Sequence, residues 1–205
     1  MHVASRRLLL VLGMTLSFFT IGHSTRSIAE FVDLLRASQI ELVVDVRRIP
    51  RSCTNPQFDR ERLPEELHRF QIGYVHLASL GGLRNRPREI ETSPNLFWEN
   101  PNFRNYADYA LTDGFHNGLT ALRDLGHEQR AAIMCAEAVW WRCHRRIITD
   151  YLISAGEEVF HILASHHIEK AKMTEAAVVD AAGTLTYPGP VRARTEARAR
   201  SSRAR

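Results

Sequence analysis

Leu42-Val43-Val44-Asp45-Val46 decides how the rest of the chain is read. Four of its five residues are apolar, so there is no polar face to turn toward water. A strand of that kind is covered on both sides, as the interior strands of parallel sheets are. Outward from it, strand-like and helix-like stretches alternate. Upstream, Leu16–Ile21 is a short β-prone run. Ser27-Ile28-Ala29-Glu30 then reads as a capping box, opening a helix whose Ile28, Phe31, Val32 and Leu35 share one face. Downstream come a helix near Pro64–Phe70, with Pro64 suited to its first turn, and a third strand at Gly73–Leu77. A long loop from Gly81 to Pro101 has the length of a lid or binding loop. Helices are expected at Phe103–Leu111 and Phe115–Leu125, a fourth strand at Ala131–Cys135, a helix at Cys143–Ala155 closed by Gly156, and a fifth strand at Glu158–Ile162. Beyond Ile168 a weak helix and a hairpin around Gly183 are expected.

This alternation predicts one α/β domain with a mostly parallel sheet of about five strands flanked by helices, a Rossmann-like three-layer arrangement. The domain is expected over residues 14–187. Residues 1–13 read as an upstream extension with Met14 as the start: their apolar run breaks at Gly13, and no small-x-small cleavage site follows. The run is also too short to span a bilayer, which takes about 20 apolar residues. Residues 188–205 read as a disordered, Arg-rich tail. That tail explains the charge. It holds six arginines against Glu196, so the net charge of +4 becomes −1 without it. The basic balance is therefore no argument that the folded part binds nucleic acid. Three cysteines, an odd number, give no disulfide framework and favour the cytoplasm, with no membrane involvement.

Ligands in open parallel sheets bind beyond the carboxyl ends of the strands. The chemically capable residues concentrate there: His23 and Ser24 after strand one, Asp45 and Arg47 on one side of strand two, His76 on strand three. Cys135 ends strand four, Glu137 follows it, and Arg142, Cys143, His144 and Arg145 open the next helix. A cysteine beside a helix N-terminus and several arginines sits where a thiolate is favoured. Cys135, Glu137, Cys143, His144 and His23 are the candidate catalytic set. Ser24, Asp45, Arg47, His76, Arg142 and Arg145 are the candidate substrate-binding set. Buried cysteines also serve as small hydrophobes, and Trp140 and Trp141 as packing residues. Cys135, Cys143 and His144, with His23 or His76, are soft donors, but their spacing matches no closed structural zinc pattern, so no metal or cofactor is assigned. A phosphatase-type thiolate loop needs five residues between Cys and Arg; here there are six, without glycine.

Thr20-Ile-Gly-His-Ser24, Val44-Asp-Val-Arg47, Pro50-Arg-Ser52, Asn55-Pro-Gln-Phe58, Tyr74-Val-His-Leu77, Leu80-Gly-Gly82, Tyr106-Ala-Asp-Tyr109, Met134-Cys-Ala-Glu137 and Arg142-Cys-His-Arg145 follow one another in this order. Over about Phe19 to Ile162 the chain thereby resembles the bacterial and archaeal family catalogued as domain of unknown function 488. The resemblance implies that His23, Asp45, Arg47, His76, Cys135, Glu137, Cys143, His144 and Arg145 form one set, and it fits a start at Met14. It names no reaction. Cys53 and Val139-Trp140 depart from the family pattern, as does the tail. Three readings follow. The first is an enzyme acting on a phosphorylated or nucleotide-like substrate. The second is a non-catalytic module for a small anion, or for nucleic acid through the tail. The third is a Cys/His metal-binding protein.

Overall fold

The computed structural model describes residues 16–190, so the expected extension and all but the first three residues of the tail lie outside the described residues. Six strands form the main sheet: β1 (Phe18–Gly22), β2 (Leu42–Asp45), β3 (Gly73–His76), β4 (Ala131–Cys135), β5 (Val159–Ala164) and β6 (His167–Lys170). Their spatial order is β3-β2-β4-β1-β5-β6. The first five run parallel, and β6 turns back antiparallel on β5. Five helices cover the sheet: α1 (Ile28–Ala37), α2 (Leu63–His68), α3 (Pro101–Tyr109), α4 (Asp113–Glu128) and α5 (Arg145–Ser154).

Alternation along each strand sorts the core into two layers. Phe19 and Ile21 of β1, Val43 of β2 and Met134 of β4 pack with Phe31 and Leu35 of α1 and Leu63 and Leu67 of α2. Phe18, Val44 and Ile133 face the other way, onto Tyr106 of α3, Phe115 and Leu122 of α4, and Ile147, Ile148 and Leu152 of α5. The result is a three-layer α/β/α sandwich. Ser27 caps α1 through the reciprocal bonds of a capping box with Glu30. Gly156, at φ +86°, ends the turn after α5 in the left-handed region that glycine enters without strain.

Three expectations are corrected. The sheet has a sixth strand, antiparallel, which ordinary strand signals at exposed His167–Lys170 do not reveal. The weak helix after Ile168 is absent: residues 171–177 form no helix. The hairpin around Gly183 is present as β7 (Val178–Val179) and β8 (Leu185–Thr186). The helix expected at Cys143 starts at Arg145, because Trp140–Arg142 forms a separate 3-10 turn.

The loop from Gly81 to Pro101 carries no helix or strand of its own before α3, but it is pinned at its middle. Asp108 accepts from Ser93 Oγ at 2.6 Å and Asn95 Nδ2 at 2.8 Å, and Asn95 Oδ1 accepts from the Tyr187 amide at 2.9 Å. Asp150 accepts from Tyr187 Oη and the Thr174 amide, each at 2.8 Å. These bonds hold the C-terminal segment against α3 and α5. Among the described residues no helix is long and apolar enough to cross a membrane.

Candidate functional site

Neighbouring strands at the centre of the sheet send their chains to opposite faces. β1 continues into α1, β4 into α5, and the two strands are adjacent, with Gly22 opposite Cys135. That divergence opens a crevice at the strand ends. The ends are level there, since Asp45 pairs with Met134 on one side and with His76 on the other. A cavity of about 700 Å³ occupies the crevice, lined among others by His23, Ser24, Arg47, Cys135, Glu137, Arg142, Cys143 and His144. Gly22 is needed beneath it: a Cβ there would lie 1.9 Å from the Glu137 carbonyl oxygen.

One wall belongs to the α3–α5 side. Cys135 Sγ is 4.0 Å and Cys143 Sγ 3.7 Å from His144 Nδ1, while His144 Nε2 donates to the Val46 carbonyl at 3.1 Å. With Nε2 committed to the Val46 carbonyl, Nδ1 is the ring nitrogen turned toward the two sulfurs. Arg145, only 1% exposed, donates from Nε to Cys143 Sγ at 3.3 Å and from Nη2 to the Glu137 carbonyl at 2.5 Å. No carboxylate lies within ion-pair reach of this guanidinium among the described residues. A buried cation needs a counter-charge, and the nearest acceptor able to provide one is the Cys143 sulfur. Burial acts to raise the Cys143 thiol, but the Cys135 thiol, His144 and Arg145 around it hold it well below the ordinary range. Cys135 is pushed well above that range by its hydrogen bond to Cys143 and by burial. The two thiols are thus pushed in opposite directions, down for Cys143 and up for the strand-end Cys135.

The opposite wall comes from the α1–α2 side. Arg47 donates from Nε to Asp45 Oδ1 at 2.9 Å and from Nη2 to Oδ2 at 2.6 Å, and Nη2 also donates to the Phe58 carbonyl at 2.6 Å. Tyr74 Oη donates to the same Asp45 Oδ2 at 2.7 Å. Burial opposes the Arg47 charge, yet the bonds and charge of Asp45 raise its pKa above the ordinary value. Arg47 Nη1 lies 3.2 Å from His23 Nε2, whose ring is stacked on Phe58 at 4.2 Å. His23 Nδ1 donates to the Ser24 carbonyl at 2.8 Å, so Nε2 accepts from Arg47. Burial lowers the His23 pKa to about 4 and keeps the ring neutral. One Nη1 hydrogen of Arg47 is left for the cavity.

The residues proposed from sequence thus divide. Ser24, Glu137 and Arg142 line the cavity with His23, Arg47 and the thiol cluster, whereas Asp45, His76 and Arg145 lie behind the lining. His76 bonds the Arg47 carbonyl through Nε2 at 2.8 Å. Trp140 stacks on buried His161 at 4.4 Å, away from the cavity, and Trp141 is exposed. Tyr106 and Gly82 were given no role by sequence. Tyr106 lies with its ring 4.9 Å from that of His144, anchored by a 2.7 Å bond to the Leu80 carbonyl. A Cβ on Gly82 would stand 2.8 Å from His144 Nδ1. Both residues sit inside the motifs quoted above, which were the available signal.

Fold and site together define a three-layer α/β protein with a switch-point pocket built around a thiol, imidazole and guanidinium cluster. The chain belongs to the family described as "Domain of unknown function DUF488", whose model matches residues 27–152. No curated protein and no solved structure gives a significant match.

Proposed function

We propose that the protein is an enzyme that draws a small anionic substrate, phosphorylated or nucleotide-like, into the switch-point cavity and acts on it with the Cys135, Cys143 and His144 cluster. One observation carries this reading: the reactive groups form a wall of a cavity whose other charged lining is almost wholly cationic. Arg47, Arg48, Arg51 and Arg142 line it, against Glu137 as the only carboxylate among the described lining residues. Arg47 is largely neutralised by Asp45, and Arg48 donates to the Leu83 carbonyl at 2.5 Å. A carbonyl leaves the Arg48 charge uncancelled, whereas Arg51 pairs with Glu61 at 4.0 Å, so exposed Arg48 and Arg142 supply most of the attraction for an anion. Glu137, exposed at the same mouth, suits proton transfer to or from a bound group. Ile49 and Leu83 are apolar yet 70% and 75% exposed on the rim, which suits a substrate with a ring or apolar portion beside its anionic group. The three free cysteines support work in the reducing cytoplasm.

Equilibrium binding of inorganic pyrophosphate and of AMP to the full chain tests the substrate class. Binding is expected to weaken as salt rises and to fall about tenfold in Arg142→Ala, the size of one charge-assisted contact. Binding indifferent to both changes overturns the anionic reading.

A further inference from the structure

Three donor atoms of the site lie together at the cavity wall. Cys135 Sγ, Cys143 Sγ and His144 Nδ1 all lie within 4.8 Å of one another. The sulfur–nitrogen separations, 3.7 and 4.0 Å, are long for hydrogen bonds. They are close to the spacing of ligands around one ion: Zn–S and Zn–N bonds at a tetrahedral angle put the two donors about 3.6 Å apart. We infer that Cys135, Cys143 and His144 bind a single divalent ion of the zinc class, with the fourth coordination position open to the cavity.

Four further features fit. His144 gives its other ring nitrogen to the Val46 carbonyl, the outer contact that fixes a metal-bound imidazole in tautomer and orientation. Arg145 donates to Cys143 Sγ, as outer-shell donors do to coordinating thiolates. Gly82 has no side chain where a Cβ would crowd Nδ1 at 2.8 Å, so the space beside the donor nitrogen stays open. Two thiolates and one imidazole make the soft-to-borderline donor set that zinc takes in catalytic sites with three protein ligands. Sequence spacing hid the arrangement, because one cysteine ends β4 while the other two donors precede α5. Loading would release any remaining thiol proton and involve no change of oxidation state. A water or a substrate oxygen would fill the open position, polarised beside Glu137 and the arginines of the mouth.

The inference rests on this cavity being the working site, and it deepens the proposed function by naming the ion. Cobalt(II) serves as the spectroscopic probe, added to the full, reduced, chelator-treated chain. One equivalent is expected to give tetrahedral d–d bands and thiolate-to-metal charge transfer, with zinc displacing it. Cys143→Ser and His144→Ala should each weaken cobalt binding by more than about 100-fold, beyond the loss of an outer-shell partner. Cys53→Ser should change nothing. Zinc should also protect Cys135 and Cys143, but not Cys53, from iodoacetamide, a readout that needs no variant to fold. Absence of stoichiometric cobalt binding, or wild-type affinity in Cys143→Ser, overturns the metal site. Pyrophosphate binding to a chain that takes no cobalt sinks the ion alone. Cobalt binding without pyrophosphate binding supports the ion and sinks the anionic substrate.

Discussion

Two arginines are buried at the strand ends, Arg47 at 6% and Arg145 at 1% exposure, and their surroundings differ in one respect. Arg47 has a carboxylate across its fork, with Asp45 held in turn by Tyr74. Its charge is balanced inside the protein, and its main work is to fix the wall on the α1–α2 side and the neutral tautomer of His23. Arg145 has only a sulfur and a carbonyl. Its charge is unbalanced unless Cys143 is anionic. The comparison separates a half where polar groups satisfy one another from a half where two thiols and an imidazole nitrogen line the cavity.

The largest way to break this comparison is Asp45→Asn. It strips Arg47 of its counter-charge while keeping the shape, and should cost about 3–5 kcal/mol of unfolding free energy in urea titrations. A cost under about 1 kcal/mol would mean that Arg47 is no better balanced than Arg145.

Next is an acid effect in the layer behind Arg145. Burial, and then the Arg145 charge, lower the His161 pKa from 6.5 to about 4. A histidine whose folded pKa lies below its unfolded value favours folding while it is neutral. Its contribution is therefore complete above pH 6.5, is lost as the pH falls toward about 4, and changes no further below that. This amounts to about 3 kcal/mol at the acid end. Stability measured from pH 7.5 to 4 should fall less steeply in His161→Gln than in the parent chain; equal slopes would refute the assignment.

Smaller again is Arg145→Met, which replaces the guanidinium by an apolar chain of similar length. It removes two buried hydrogen bonds and should cost about 1–3 kcal/mol. In the reduced, metal-free chain it should also move alkylation of Cys143 to higher pH, read by mass spectrometry with exposed Cys53 as the internal reference. An unchanged profile would show that Arg145 does not hold the sulfur's charge. The smallest effect is the control Ser27→Ala, in the capping box of α1 away from both arginines. It should cost about 1 kcal/mol and leave anion binding intact.

Much of this was legible in the chain, for local reasons. Leu42–Val44 and Ala131–Cys135 announce buried parallel strands because their residues are apolar on both faces, and Ser27–Glu30 announces a helix start through its own side chains. That determined the α/β class, and the rule for strand ends then gathered His23, Asp45, Arg47, Cys135 and His144 toward one region. Exposed β6 was not legible, since its pairing depends on β5 and its own residues carry little apolar signal. Nor was the partition of the site. Arg145 reaches Cys143 Sγ at 3.3 Å, and the ring nitrogen of His144 turned toward the sulfurs is set by the Val46 carbonyl, 98 residues away in sequence. Residue types and their order specify which groups are available at the strand ends. Only the tertiary placement of the segment before α5 over the ends of β4 and β2 decides which of them touch, because hydrogen bonding, charge balance and metal coordination all act over a few ångströms.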